Sequence, residues 1–439
     1  MRPWLLPSLL LLVACDKKPS PSPVSAAPPA SADAQASAPS SRHRLAFQQP
    51  SGGDPVDPQI EQGQQALRRL PGKLESWILL GRLWIQKARE SADPGYYLNA
   101  DACAQEALQL DPSTPLAFGL QAQVALNAHR FADALDLAQR ALASSPDDLI
   151  ALGTRSDALL ELGRFEEAAA AAQRMMDLKP NLASYTRASY FRWLQGDLVG
   201  AKEAAWKAAQ SGRSSRDPEP HAWALVQAAL LFWHQGDYEG ALAGFERALA
   251  ELAGYPPALA GKGRALLSLQ KPREAIPPLE ASYKKNPLVE TAWLLGDARQ
   301  AAGDEAGAQE AYRWVTERGR LQDPRTLALF LATRRLDLAS ALQMARSERE
   351  KRGDIYTEDA LGWALLRAGK TEEARPHLER AVRLGTPDAS LLFHRGALEI
   401  AQKNRKEGEK WLKKAIATNP RFDLTGAAEV EALLKEGPR

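Results

Sequence analysis

The sequence predicts an all-α solenoid, and three observations carry that expectation. Residues 115–182 hold one 34-residue unit written twice, as Pro115–Asp148 and Leu149–Leu182. Phe131 aligns with Phe165, Ala134 with Ala168, Ala138 with Ala172 and Pro146 with Pro180, and the turns Ala128-His129-Arg130 and Leu162-Gly163-Arg164 fall in register. From about residue 58 onward, apolar residues recur at helical spacing, without the alternating β-branched runs of strands. Each unit contains two apolar helical stretches, a short polar turn and a closing proline, which cannot continue a helix. Such a helix–turn–helix cannot bury its apolar face alone, so copies must stack.

The chain starts with Met1-Arg2-Pro3-Trp4, an apolar run to Leu12, and Leu12-Val13-Ala14-Cys15. One positive charge, a short apolar core and small residues before a cleavage point predict a signal peptide over residues 1–15. The run is too short to span a bilayer. Leu-Val-Ala-Cys resembles the bacterial lipobox, which implies acylation of Cys15 and attachment to the lipid bilayer; the alternative is an ordinary signal peptide with a chance cysteine. Each buried acyl methylene adds about 0.8 kcal/mol of anchoring. The expected location is the cell envelope, facing the periplasm. Asp16 favours the inner membrane by the rule of enteric bacteria, and the outer membrane stays open.

Residues 16–58 are rich in Pro, Ser and Ala and read as a disordered tether, with a reach of at most about 140 Å. Cys103, in an apparent second helix of a pair, reads as a small buried apolar residue, and no disulfide framework exists.

Residues 59–422 read as about ten helical pairs after a leading helix at 58–70. The first carries Trp77, Gly81 and Trp84, then Ala100, Ala104 and Pro112. The two model copies follow, and a fourth pair turns at Gly196-Asp197. An insertion at Ser211–Pro218 breaks the period. The fifth pair turns at Gly236-Asp237, the sixth runs from Pro256 to Pro287, and the seventh turns at Gly303-Asp304. The eighth shows no glycine turn, with Leu336-Asp337-Leu338 in its place; the ninth turns at Gly369-Lys370 and the tenth closes at Pro420. Residues 423–439 read as a capping helix. Pro277, Pro278 and Pro376 are expected in opening helical turns, where proline is tolerated.

The alanine, aromatic and proline positions of these units resemble the tetratricopeptide repeat over most of the chain. The resemblance implies a right-handed superhelix whose first helices face a concave groove that binds partners. Carried over position by position, it implies groove contacts from Tyr190, Trp193, Trp223, Trp233, Arg264, Trp293, Trp363, Arg367 and Phe393. Val226, Leu230, His234, Asp297, Gln300, Tyr356 and Asp359 fall on the same face. Tyrosine and tryptophan offer large contact area with few rotatable bonds, which suits anchoring a peptide. Tryptophan is also a packing residue of the first helix, and one place of register moves it from groove to core. Arg187, Arg192, Lys262, Arg264 and Arg367 offer a clamp for an anionic end, without the family's lysine–asparagine arrangement.

No reaction chemistry is legible. The six histidines lack metal-ligand spacing, and H-E-x-x-H, C-x-x-C, P-loop and G-x-S-x-G patterns are missing. Glu166-Glu167 and Glu372-Glu373 suit the start of a helix through its dipole. The chain is therefore expected to be no enzyme, with no cofactor and no metal. A formal net charge of +2 with interspersed signs argues against nucleic acid. The expected function is a membrane-anchored periplasmic scaffold for a protein or peptide partner, an assembly or accessory factor of an envelope complex. The alternatives are a glycan- or small-ligand-binding protein with an aromatic groove, and a passive spacer.

Overall fold

The computed structural model describes residues 41–214 and 217–435, which form 23 helices and no strand. A short α1 (Ser41–Ala46) and α2 (Asp57–Arg69) precede ten helical pairs. These are α3/α4 (Leu74–Ser91, Tyr96–Leu110), α5/α6 (Pro115–Asn127, Phe131–Ser144), α7/α8 (Leu149–Glu161, Phe165–Leu178) and α9/α10 (Leu182–Leu194, Leu198–Gln210). Next come α11/α12 (Glu219–His234, Tyr238–Glu251), α13/α14 (Pro256–Ser268, Pro272–Lys285) and α15/α16 (Val289–Ala302, Glu305–Gln322). The last are α17/α18 (Pro324–Thr333, Leu338–Lys351), α19/α20 (Ile355–Arg367, Thr371–Ala381) and α21/α22 (Ala389–Ala401, Arg405–Thr418), closed by α23 (Gly426–Lys435).

The turn inside each pair from α5/α6 onward uses one left-handed residue. Glycine fills it at 163, 196, 236, 303 and 369, whereas His129, Gln270, Arg335 and Lys403 fill it elsewhere with φ between 52° and 62°. Arg335 explains the missing glycine of the eighth pair: a non-glycine residue takes the same conformation at modest steric cost. The aspartates after several of these turns cap the next helix. Asp197, Asp237, Asp304 and Asp337 each accept the N–H three residues on. Within pairs, small residues let backbones approach. A Cβ on Gly362 would come within 2.6 Å of Leu378, so that close approach needs glycine.

The solenoid coils until its late pairs meet its early ones. Turns and helix ends of α7–α13 stack on linkers that lie 153 to 220 residues later. Gly353 N–H donates to the Glu161 carbonyl at 2.9 Å, and Thr386 Oγ1 donates to the Leu194 carbonyl at 2.6 Å. Asn419 Nδ2 donates to the Trp233 carbonyl at 2.8 Å, while Tyr238 OH donates to Asn419 Oδ1. Arg421 donates to the Ser268 carbonyl at 3.0 Å. Gly163 sits at φ 79° against the Gly353 carbonyl, with which any Cβ would collide.

Two expectations need correction. The described part of the proposed tether is docked, not free. Trp84 Nε1 and Gln64 Nε2 donate to the Ala46 carbonyl, Asn99 Nδ2 donates to that of Leu45, and buried Lys87 pairs with Asp54 and Asp57. Polar composition hid this because the anchors are backbone carbonyls and a few apolar side chains, Leu45, Ala46, Phe47 and Val56. Pro277, Pro278 and Pro376 lie inside α14 and α20, past the opening turn. In α14 that turn is already occupied by Pro272. The remainder of the tether and residues 1–15, with Cys15, lie outside the described residues. Cys103 is fully buried, and its thiol is pushed up by burial.

The seam carries a pH signature. Burial, with Asp354 nearby, raises the Glu161 carboxyl from 4.5 to about 7, although Arg352 and Arg325 oppose the shift. The folded ring thus holds a proton that the unfolded chain releases, and this group's stability contribution is lost as pH rises from about 4.5 to 7. Glu161→Gln is expected to flatten that part of the pH dependence, read as the urea midpoint across this range.

Candidate functional site

Coiling encloses a cavity of about 1020 Å³ between the first helices of the pairs and the late linkers. Leu160 and Tyr190 line it from the early pairs, Trp233, Arg264 and Trp293 from the middle, and Asp388, Phe393 and Asn419 from the late ones. The wall includes exposed Gln270, Arg383, Arg421 and Leu424, so the cavity reaches solvent.

The structure divides the nine groove residues. Tyr190, Trp233, Arg264, Trp293 and Phe393 line the cavity. Trp193, Trp223, Trp363 and Arg367 do not, and their assignment to the groove is corrected to packing. Trp193, 1% exposed, is wedged among Tyr190, His234 and Tyr356. Trp223 is buried in α11. Trp363 is fully buried, stacks on His394 at 3.8 Å and donates through Nε1 to Thr333 Oγ1. Arg367 lies over Trp363 and binds both carboxylate oxygens of Glu429, which pins α23 to α19. Tryptophan meets both demands equally well in sequence; coiling decides which faces turn inward.

The anion clamp also fails. Arg187 is buried in an ion pair with Asp157, and Arg264 and Arg367 pair with Glu290 and Glu429. Lys262 reaches Glu246 at 2.9 Å and Arg192 reaches Asp197 at 3.2 Å. Each cation is committed within the fold.

Sequence reasoning missed the linker residues of the wall. Asp354 and Asp388 cap α19 and α21, and Asn419 and Arg421 precede α23. Their meeting with α9 and α11 comes from the coiling of the chain, which no local signal in the sequence carries. Of the face residues, Asp297 accepts from Tyr312 and Arg334, and burial with Asp423 nearby raises its carboxyl to about 7. Asp359 contacts His394 Nδ1 at 2.9 Å, and burial raises its carboxyl despite that partner. Burial lowers His234 to about 4 against the pull of Asp388, so it is neutral near pH 7.

Stability separates the two tryptophan classes. Trp193→Ala and Trp363→Ala are each expected to cost about 3–5 kcal/mol through lost burial and cavity formation. Trp293→Ala, half-buried on the wall, is expected to cost clearly less in urea denaturation.

No curated protein matches this chain. Among solved structures, similar chains include PilW, a type IV pilus biogenesis factor, at 16% identity and TM-score 0.40, over 49% of this chain and 98% of that one. A tetratricopeptide repeat protein from Parabacteroides merdae is similar at 18% identity and TM-score 0.38, over 54% and 93%. A human IFIT1 dimer with PPP-AAAA is similar at 13% identity and TM-score 0.47, over 84% and 92%. The family model of the tetratricopeptide repeat matches residues 120–183 and 360–421, one segment in the early coil and one in the late. These segments, in a chain of stacked helical pairs, make this a tetratricopeptide-repeat-containing protein.

Proposed function

We propose that this chain is a lipid-anchored scaffold on the periplasmic side of a bacterial envelope, where it binds a segment of a partner protein as an accessory factor of an envelope complex. One observation carries the binding part of this reading. Five of the residues expected on the groove face converge on a single cavity that reaches solvent. An aromatic wall with polar groups between its rings is the usual chemistry of a recognition pocket. Tetratricopeptide repeats are protein-interaction modules, and this chain is built from them. The envelope part rests on the sequence Leu12-Val13-Ala14-Cys15. No helix among the described residues is long and apolar enough to cross a membrane, so in this reading attachment depends on Cys15.

A second reading, a glycan or small ligand, draws on the same wall. Trp233 and Trp293 stand beside Asp297, Gln270 and Asn419, a mixture of ring faces and hydrogen-bonding groups that suits sugars.

Two measurements test the proposal. Membrane fractionation should find the full chain with the envelope and Cys15→Ala released from it; an unchanged distribution defeats the lipid anchor. In-cell crosslinking with mass spectrometry should give a small set of protein partners that is lost in Trp293→Ala/Arg264→Ala. An unchanged set moves the protein site off the cavity, and an empty set favours the glycan reading.

A further inference from the structure

The charges of the cavity wall are unequally satisfied. Two of its four arginines are ion-paired, and the other two are tied to backbone carbonyls. Arg264 pairs with Glu290, and Arg325 lies 3.4 Å from Asp354. Arg383 and Arg421 donate to the carbonyls of Gly163 and Ser268, where they hold the two coils together. The carboxylates are less well matched. Asp359, Asp388 and Asp423 form no ion pair with a lysine or arginine among the described residues. Asp359 has only His394, Asp388 caps α21 and faces His234 at 3.8 Å, and Asp423 accepts from Thr425 and Gly426.

Acceptors without donors gather at the place where α9 and α11 meet α19 and α21. His234 is 6% exposed and lines the cavity. Its Nδ1 faces the Asp388 carboxylate, and its Nε2 has no hydrogen-bond partner among the described residues. The tautomer that places the proton on Nδ1, toward that carboxylate, leaves Nε2 as a bare acceptor. Tyr356 also lines this space, and its hydroxyl is buried without a partner among the described residues, where Tyr190, Asp388 and Asp354 act on it electrostatically. An unmatched buried polar atom destabilises the fold, so a ligand that supplies N–H donors here recovers that loss. Trp233, Trp293 and Tyr190 line the same space, and Trp233 already holds the Arg264 guanidinium over its ring, a contact that shows the wall accepts a cation.

We propose that the cavity selects a cationic N–H donor, a lysine or arginine side chain on the bound segment of the partner, with Asp388, Tyr356 and His234 as its acceptors. This rests on the reading of the cavity as a peptide site and assigns that site a charge preference. An ammonium or guanidinium group offers donors to all three, and its charge meets a wall with carboxylates to spare. A carboxylate or phosphate would find Arg264 and Arg325 already paired and would face those same carboxylates, with only the exposed Arg383 and Arg421 lacking a carboxylate partner.

The test is fluorescence anisotropy of the full chain with a capped, dye-labelled heptapeptide of glycine, serine and leucine that carries two lysines. The same peptide with both lysines acetylated, and with both replaced by glutamate, serves as comparison. The lysine peptide is expected to bind about tenfold tighter than either, the ratio that 1.4 kcal/mol produces. Asp388→Asn keeps the cap of α21, because asparagine caps as well as aspartate. Asp388→Asn and Tyr356→Phe are each expected to remove most of the preference. Equal affinity for all three peptides, with loss of all three in Trp293→Ala, overturns the charge preference and leaves the peptide site standing. Tighter binding of the glutamate peptide likewise overturns it. No binding of any peptide by the full chain overturns both the preference and the peptide site.

Discussion

The register between the early turns and the late linkers governs this molecule. Each turn presents the same groups, a left-handed residue and the free carbonyls of a helix end, at a spacing of about one repeat. The late linkers meet those carbonyls with donors of different kinds: the Gly353 backbone, the Thr386 hydroxyl, the Asn419 amide and the Arg421 guanidinium. Helix ends leave their last carbonyls without internal partners, so each is a ready acceptor. A slip of one residue would misplace all four donors together and drive a side chain into Gly163, whose turn lies against Gly353. The ring, its cavity and the burial of Trp193 all follow from that register.

The seam differs in kind from the repeat interfaces. Pairs stack through alanine, glycine and single aromatic rings, as where Ala168, Ala172 and Phe165 pack beside Phe191. Those contacts are apolar and local, and a solenoid held by them alone behaves as a sum of neighbours. Across the seam the contacts are distant in sequence and mix polar pairs, the buried Glu161 with Arg352 among them, with apolar packing of Ile355, Ala381 and Leu391 on the early core. A buried pair contributes little net stability, but loss of one partner leaves an uncompensated charge. The polar part of the seam therefore restricts the early and late coils to one arrangement more than it adds to stability, which comes from the apolar residues buried beside it. The N-terminal segment does the same at the other end, where buried Lys87 meets Asp54 and Asp57.

The nine groove residues show how far helical spacing carries a site. Tyr190, Trp233, Arg264, Trp293 and Phe393 reach the cavity because they project from the first helix of a pair toward the axis of the coil. Trp193 and Trp363 occupy comparable places in their own repeats, yet Tyr356 of the late coil covers the first, and Phe393 and His394 of the next pair cover the second. Within one repeat the two groups are alike. What separates them is whether a residue of another pair stands against the ring, Tyr356 some 160 positions from Trp193 or His394 some 30 positions from Trp363.

Sequence alone determined the helical pairs, because the apolar period, the capping aspartates and the closing prolines are local signals that each repeat carries for itself. It also marked the Gly-Asp turns, since only the conformation of a single residue is at stake there. The docking of residues 41–58, the closure of the ring, the acidic bias of the cavity wall and the unmatched His234 were decided by tertiary structure. Each arises from groups far apart in the chain, and their meeting depends on small rotations between pairs that accumulate over several repeats. A 34-residue period fixes what each step contains, but the angle of each step comes from the packing of side chains between neighbours, and that angle decides where the chain meets itself.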